Sequence, residues 1–238
     1  MTTISDAFED LSHALRVLLE AHLTANGGLL QIDRAEAVGN IEGGLSGVLN
    51  AFHSLYDATS KHPEINLDWY VSPELATILT IRNARHHNHA KKIRTIYTYY
   101  VQEAEKVGRM EMYVLVDFPA AEDGADTFDL CLSWHDLKAL LELPSSITRI
   151  KSPDFIRNYL GSDSFKAYAD SFDQAENRVF FNVVPLICNA AATIVPAIAP
   201  YVKARSTESD TYLFLFKDMP QFDTSSPEVT CGPVAYLP

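Results

Sequence analysis

The chain contains little cysteine. Its 238 residues include Cys131, Cys188 and Cys231, and no two of them form a Cys-x-x-Cys pair. An odd number of widely spaced cysteines argues against a disulfide framework and is typical of reduced thiols. We therefore predict a cytoplasmic protein whose cysteines contribute to packing and take no part in chemistry.

Positive charge is also scarce. The sequence has 19 Lys and Arg residues against 31 Asp and Glu residues, which gives a formal net charge of −12. Surfaces that bind nucleic acid depend on clustered Lys and Arg side chains. The balance therefore excludes a surface that is basic throughout, but it leaves room for a local basic site.

Several common motifs are missing. The sequence has no glycine-rich phosphate loop of the Walker or dinucleotide type, and it has no internal repeat. No Gly-x-Ser-x-Gly nucleophile elbow is present either, so we interpret Ser133, beside His135 and Asp136, as a helix N-cap. The N-terminus carries acids where a secretory signal carries bases, and we expect no targeting segment.

One long apolar run is present, at residues 179–202. It is long enough to span a membrane, but it contains Asn182, Asn189 and three prolines. An apolar helix in a soluble protein of this size is typically the buried central one. We therefore predict a core helix over residues 177–203 and no membrane partner.

The expected fold class is mainly α. Apolar periodicity predicts helices over residues 4–25, 33–60 and 72–107, the last with Ser72 as N-cap, Pro73 in its first turn and Gly108 as its end. Beyond residue 108 the pattern predicts an antiparallel hairpin (109–118 with 127–134), helices over 135–143 and 153–173, a third strand (211–218) and an irregular tail. We expect an N-terminal helical bundle (1–108) and a mixed α+β C-terminal half (109–238) with a small antiparallel sheet, packed as one compact unit.

A basic segment interrupts the third helix. Residues 75–102 contain no Asp or Glu but hold five of the nineteen Lys and Arg residues. On a helix with about 100° per residue, some of the basic and polar side chains lie on the same face as the apolar side chains, within one arc of the helix. Burying such groups without partners is unfavourable, so acids on neighbouring helices or an anion in a cleft or dimer interface must meet them. The groups inside the arc are Arg82, Arg85, His86 and His89, and those on its flank are Asn83, His87, Lys91 and Arg94.

Three interpretations of this segment need no catalysis. Arg82 can belong to a paired polar network with Glu42 or Asp57. The face can also be simply solvated. A metal site made by the segment's histidines is the third possibility, but consecutive residues of a helix cannot converge on one ion, and neighbouring arginines oppose a cation. We therefore predict no metal.

The order Arg82-Asn83-x-x-x-His87, on a long helix of a helical N-terminal half, resembles the motif of the HEPN superfamily. That motif is an arginine, usually followed by a polar residue, and then a histidine after four to six intervening positions. His87 satisfies the four-residue spacing and His89 the six-residue spacing. The resemblance covers residues 1–107.

The resemblance implies a metal-independent endoribonuclease without a cofactor, which acts as a homodimer in a defence or toxin–antitoxin role and can have an inhibitory protein partner. Arg82 would bind the scissile phosphate, Asn83 would orient it, and His87 or His89 would be the general acid or base. The alternative is a non-catalytic module that binds a nucleotide or a protein through the same face, since the family contains inactive members. The expected substrate-binding residues are Arg85, His86, Lys91, Lys92 and Arg94.

Overall fold

The computed structural model describes residues 3–87, 93–103, 111–120, 127–144 and 153–233. Within these ranges the protein is mainly helical and has a small four-stranded sheet in its C-terminal half, which confirms the predicted fold class. In chain order the elements are α1 (Ile4–Thr24), α2 (Leu30–Ile32), α3 (Arg34–Thr59), α4 (Pro73–His87), α5 (Ile96–Glu103), β1 (Met112–Asp117), β2 (Cys131–Ser133), α6 (Trp134–Leu141), α7 (Pro153–Tyr159), α8 (Phe165–Ser171), β3 (Val179–Asn182), α9 (Val184–Ile198), α10 (Thr207–Lys217) and β4 (Glu228–Pro233).

The chain divides into two compact units, each built from separate segments. The first comprises Met1–Arg82 and Ile187–Gln221, and the second comprises Asn83–Leu186 and Phe222–Pro238. This division differs from the predicted boundary at residue 108. The physical reason is that most of α9 and all of α10, although late in the sequence, pack with the N-terminal helices.

The first unit is built around the packing of α1 on α3. Thr3 and Asp6 form a capping box at the start of α1, and Asp33 caps α3. Gly44 permits a close approach, because a Cβ atom there would lie 3.0 Å from the Cα atom of Leu18. The two helices bury a core that includes Phe8, Leu11, Leu45, Leu49 and Phe52.

The predicted strand at residues 211–218 is wrong, because this segment is helical. The Ser206 hydroxyl accepts a hydrogen bond from the Ser209 N–H and caps α10, and Glu208 and Asp210 lie in the first helical turn, where acids are favourable. Ion pairs then tie this part of the chain to α1: Arg16 with Glu208, and Arg205 with Asp6. Local capping therefore outweighs the β-forming side chains of the segment.

The sheet lies in the second unit and has the strand order β2-β3-β1-β4. Strand β1 is parallel to β3, with Leu115 opposite Phe180, and the other two pairs are antiparallel. The predicted β1–β2 hairpin is wrong because β3 lies between these strands. The tail also differs from the prediction of an irregular segment, since its residues Glu228–Pro233 form the edge strand β4.

The apolar run that was predicted as one helix divides into a strand and a helix. Asn182 ends β3, and its side-chain oxygen accepts hydrogen bonds from the N–H groups of Leu130 and Val184. Among the described residues, Val184–Tyr201 is the one segment long and apolar enough to cross a membrane, and 56% of it is buried. Such burial is the behaviour of a core helix in a soluble protein.

The predicted helix over residues 72–107 begins correctly at Pro73 but is not continuous. Helix α4 extends to His87, and α5 begins at Ile96. Between them, Thr95 makes an antiparallel bridge to Leu132, and the Arg94 carbonyl accepts a hydrogen bond of 2.9 Å from the Ser133 N–H. Pairing with β2 therefore stops the helical pattern at Arg94 and Thr95.

Candidate functional site

Helix α4 presents Arg82 to the side chains of α3. One face of α4 is core, since Leu75, Ile78 and Ile81 are fully buried. Arg82 follows this apolar turn and is half-buried, and its Nε–H donates a hydrogen bond of 3.2 Å to the Oδ1 atom of Asn50. The partner on α3 is thus a neutral amide, and Asn50 itself is exposed.

Burial and a nearby acid act on the Arg82 guanidinium in opposite directions. Burial lowers the pKa of the guanidinium from its ordinary value, and the negative charge of Asp57 opposes this change. Asp57 is one of the two acids that the sequence suggests as partners of Arg82, and its influence is electrostatic. The guanidinium presents N–H donors of the kind that bind an anion.

Asn50, His53 and Asp57 share one face of α3. At about 100° per residue, positions 53 and 57 lie within about 60° of position 50 around the helix. The His53 Nδ1 atom lies 3.5 Å from an Asp57 carboxylate oxygen, a separation that is long for a hydrogen bond but suited to an ion pair. Sequence reasoning did not select Asn50 and His53, although their spacing with Asp57 marks a polar helical face.

Aromatic rings continue this face of α3. The Tyr56 ring lies 5.7 Å from the His53 ring and 6.0 Å from the Tyr70 ring, with an edge-on geometry in the second case. Hydrogen bonding with Tyr56, together with burial and the charge of Asp68, raises the pKa of Tyr70 to about 12. Tyr70 therefore keeps its proton at neutral pH, and its ring is 41% exposed.

Asn83, Arg85 and His86, which lie within the span of the motif at the end of α4, have different environments. Asn83 is half-buried. Arg85 is half-buried as well, and its guanidinium donates a hydrogen bond of 2.6 Å to the Ile93 carbonyl oxygen. His86 is exposed, so its predicted place within the apolar arc is wrong. Arg85 therefore links the end of α4 to the chain that precedes α5.

Arg94, predicted as a substrate-binding residue, lies in a buried ion pair. Its Nε–H and one terminal nitrogen donate hydrogen bonds of 2.7 and 2.8 Å to the two carboxylate oxygens of Asp136. The Arg94 backbone N–H also donates to this carboxylate, at 3.1 Å, and the guanidinium lies 4.7 Å from the centre of the Tyr99 ring. Such bidentate pairing fixes the position of the arginine.

The remaining predicted site residues cannot be placed. His89, Lys91 and Lys92 lie outside the described residues, and of His87 only the backbone, as the last residue of α4, is described. The structure therefore brings Arg82 and Asn50 together, and it does not test the pairing of Arg82 with the histidines of the motif.

No metal-binding cluster is evident in the part of the chain that the structure describes. No group of three or more His, Cys, Asp or Glu side chains within this part is arranged to hold an ion. The polar face of α3, with Arg82 against it, is a mixed set of amide, imidazole, carboxylate and guanidinium. These groups can bind an anion and move a proton.

Comparison with known proteins adds no further assignment. No protein-family model, curated protein sequence or solved structure matches the chain.

Proposed function

We propose that the protein is a metal-independent endoribonuclease of HEPN type. The observation that carries this proposal is the position of Arg82, which is half-buried, donates to the Asn50 amide and lies within the acid-free segment 75–102. Arginine presents several N–H donors in a fixed geometry that suits a phosphate. The resemblance of Arg82, Asn83 and His87 to the HEPN motif suggests the reaction, which is metal-independent cleavage of RNA.

The proposed reaction uses the 2′-hydroxyl of RNA as the nucleophile. Its oxygen attacks the adjacent phosphorus, the bond from phosphorus to the 5′-oxygen breaks, and a 2′,3′-cyclic phosphate and a 5′-hydroxyl result. One proton leaves the 2′-hydroxyl and one is delivered to the departing 5′-oxygen, so the reaction needs neither metal nor cofactor. Arg82 stabilises the charge that grows on the phosphate oxygens, and histidine moves a proton near neutral pH.

Cleavage of a panel of RNAs in the presence of EDTA tests this proposal. We expect Arg82→Ala to lower the rate by about 10²- to 10³-fold, as for the loss of one donor to a developing negative charge. We expect a similar loss for removal of the acting histidine of the motif, His87 or His89. Arg205→Ala is the matched control, because Arg205 is an exposed arginine paired with Asp6. Intact RNA after incubation with the wild-type protein would contradict the proposal.

The biological setting that we propose follows from the same resemblance. A cytoplasmic homodimer that cleaves RNA in a defence or toxin–antitoxin role requires restraint by an inhibitory protein. The net charge of −12 disfavours long contacts with RNA and favours a small target at a local site. Light scattering of the purified protein tests the dimer, and co-expression with the neighbouring gene product tests the inhibitor.

A binding module is the second candidate, and the environment of two basic residues favours it. Arg94 is committed to Asp136, and Arg85 donates to the Ile93 carbonyl, so part of the basic segment already serves the fold. We expect such a module to bind a nucleotide with an affinity that falls steeply with salt. Nucleotide titration at two salt concentrations, combined with the cleavage assay, separates the two candidates.

A further inference from the structure

The polar face of α3 contains a histidine that the HEPN motif does not include. His53 lies between Asn50, which accepts a hydrogen bond from Arg82, and Asp57, whose charge acts on Arg82. The three α3 residues occupy an arc of about 60°. His53 is therefore about one helical turn from Asn50, on the face of α3 to which Arg82 donates its hydrogen bond.

The surroundings of His53 suit a proton donor. The Asp57 carboxylate lies 3.5 Å from Nδ1, close enough to form an ion pair with the imidazolium form. About 29% of the His53 side chain is exposed, so a bound phosphodiester can reach it. The Tyr56 ring packs at 5.7 Å and limits the orientations of the imidazole.

We infer that His53, held by Asp57, is the general acid that acts with Arg82 on one phosphate of RNA. His53 gives its proton to the 5′-oxygen as the bond from phosphorus to that oxygen breaks, and Arg82 holds the non-bridging oxygens. Asp57 is a positioning residue. The inference rests on the proposed RNA cleavage and deepens it, because the acid then comes from α3 and the arginine from α4 of the same chain.

The aromatic pair beside this histidine indicates how the substrate would lie. The exposed ring of Tyr70 is joined through the Tyr56 ring to His53, and an exposed aromatic ring near the proposed acid can stack a nucleobase. The preferred substrate is therefore a single-stranded segment whose bases are accessible, consistent with a local site in an acidic protein.

Two substrates with different leaving groups test the inference. RNA needs a proton on its departing 5′-oxygen, whereas uridine 3′-(4-nitrophenyl phosphate) releases a phenolate that does not. We expect His53→Gln to slow RNA cleavage by about 10²-fold or more, as is typical of losing an acid catalyst. The same variant should cleave the nitrophenyl ester at close to the wild-type rate. Arg82→Ala should lose both activities, because the phosphate is common to both substrates.

His62→Gln provides the matched control. His62 lies 2.7 Å from Glu64, so it is also a histidine paired with a carboxylate in the first unit. We expect it to retain both activities, and melting curves of the variants establish that each is folded. The role of His53 is overturned if His53→Gln loses both activities equally or cleaves RNA at the wild-type rate. In either case, cleavage of RNA by the wild-type protein in EDTA still supports the proposed function. A wild-type protein that cleaves neither substrate overturns both.

Discussion

Arg82 and Arg94 are twelve positions apart in one basic segment, but their surroundings differ in kind. Arg94 donates to both oxygens of Asp136, whose side chain is 1% exposed, and it packs over Tyr99. Arg82 donates to the exposed amide of Asn50, and the acid that acts on it is the exposed Asp57. The first arginine is enclosed by its partners, whereas the second is half-buried beside a neutral group.

This difference separates the structural part of the basic segment from the part that can act on a ligand. A buried guanidinium with a bidentate carboxylate is already satisfied and cannot exchange its partner without a large penalty. A half-buried guanidinium that donates to an exposed amide can donate instead to an incoming anion. The formal charge of a segment therefore does not by itself predict how many of its residues bind substrate.

The largest effect is expected when Arg94 is removed. We expect Arg94→Ala to lower the free energy of unfolding by about 3–5 kcal/mol, because the buried Asp136 carboxylate loses its partner. Arg82→Ala should cost about 1 kcal/mol, the net value of a hydrogen bond to a neutral group. Urea unfolding at pH 7 measures both, and Lys166→Ala, which removes an exposed pair with Asp170, is the control. Equal losses for the two arginines would contradict the distinction.

A smaller effect is expected when Arg94 is given the kind of neutral partner that Arg82 has. Asp136→Asn keeps the shape of the side chain but removes its charge and one acceptor oxygen, so we expect a loss of about 2–3 kcal/mol. The first turn of α6 also loses a favourable acid. Thermal and urea unfolding check this value. A change below that of Lys166→Ala would show that the pair is not important for stability.

A third ion pair joins Lys138 of α6 to Glu176, and both side chains are intermediate in exposure. Its contribution to stability should depend on pH. Burial opposes ionisation of Glu176, but hydrogen bonds from Lys138 and Trp134 outweigh it and lower the pKa of this carboxyl. The folded pKa is therefore below the unfolded one, so the stabilisation is complete above about pH 4.5 and is lost as pH falls through the folded pKa. We expect Glu176→Gln to cost about 1 kcal/mol at pH 7.

Urea unfolding at several pH values between 7 and 3 checks the prediction for Glu176. The difference between the wild-type protein and Glu176→Gln should shrink as pH falls below 4.5, because the wild-type carboxyl then becomes neutral. A second variant, Asp170→Asn, controls for the loss of one acid at an exposed pair. A difference that is constant across this range would contradict the assigned cause.

The helices of the first unit were predictable because their signals are local. Apolar periodicity and the Asp33 cap locate α3, and in the second unit the Ser133 cap locates α6 in the same way. The strand predicted at 211–218 is wrong because β-forming composition indicates a strand where local signals of the same kind favour a helix. There the Ser206 cap and the acids of the first turn decide the structure.

The sheet was less predictable because its pairing joins distant parts of the chain. Val114 pairs with Val179 in the parallel β1–β3 pair, and no short-range pattern specifies such a partner. The run that contains Phe180 and Phe181 is apolar throughout, so its period cannot distinguish a buried strand from a core helix. The Asn182 side chain, which accepts two backbone hydrogen bonds, is what ends the strand.

The candidate site was predictable only in part, because its helical positions are local but its contacts join distant parts of the chain. Helical geometry shows from the sequence that Arg82 interrupts an apolar stripe and needs a partner. It does not show that the partner is Asn50 or that Arg94 pairs with Asp136, because these contacts span 32 and 42 residues. Polar residues at the right helical spacing, such as Asn50, His53 and Asp57, narrow the choice without deciding it.

The smallest expected change in stability, and the sharpest test of the comparison, comes from giving Arg82 a carboxylate partner like that of Arg94. We expect Asn50→Asp to alter the free energy of unfolding by no more than about 0.5 kcal/mol, because position 50 is exposed. RNA cleavage in EDTA should nevertheless fall at least about tenfold, since the new carboxylate neutralises Arg82 and repels phosphate. Asn40→Asp makes the same charge change at another exposed position of α3. If both variants cleave RNA equally well, the neutral partner of Arg82 has no role in function, and the two arginines differ only in their contribution to the fold.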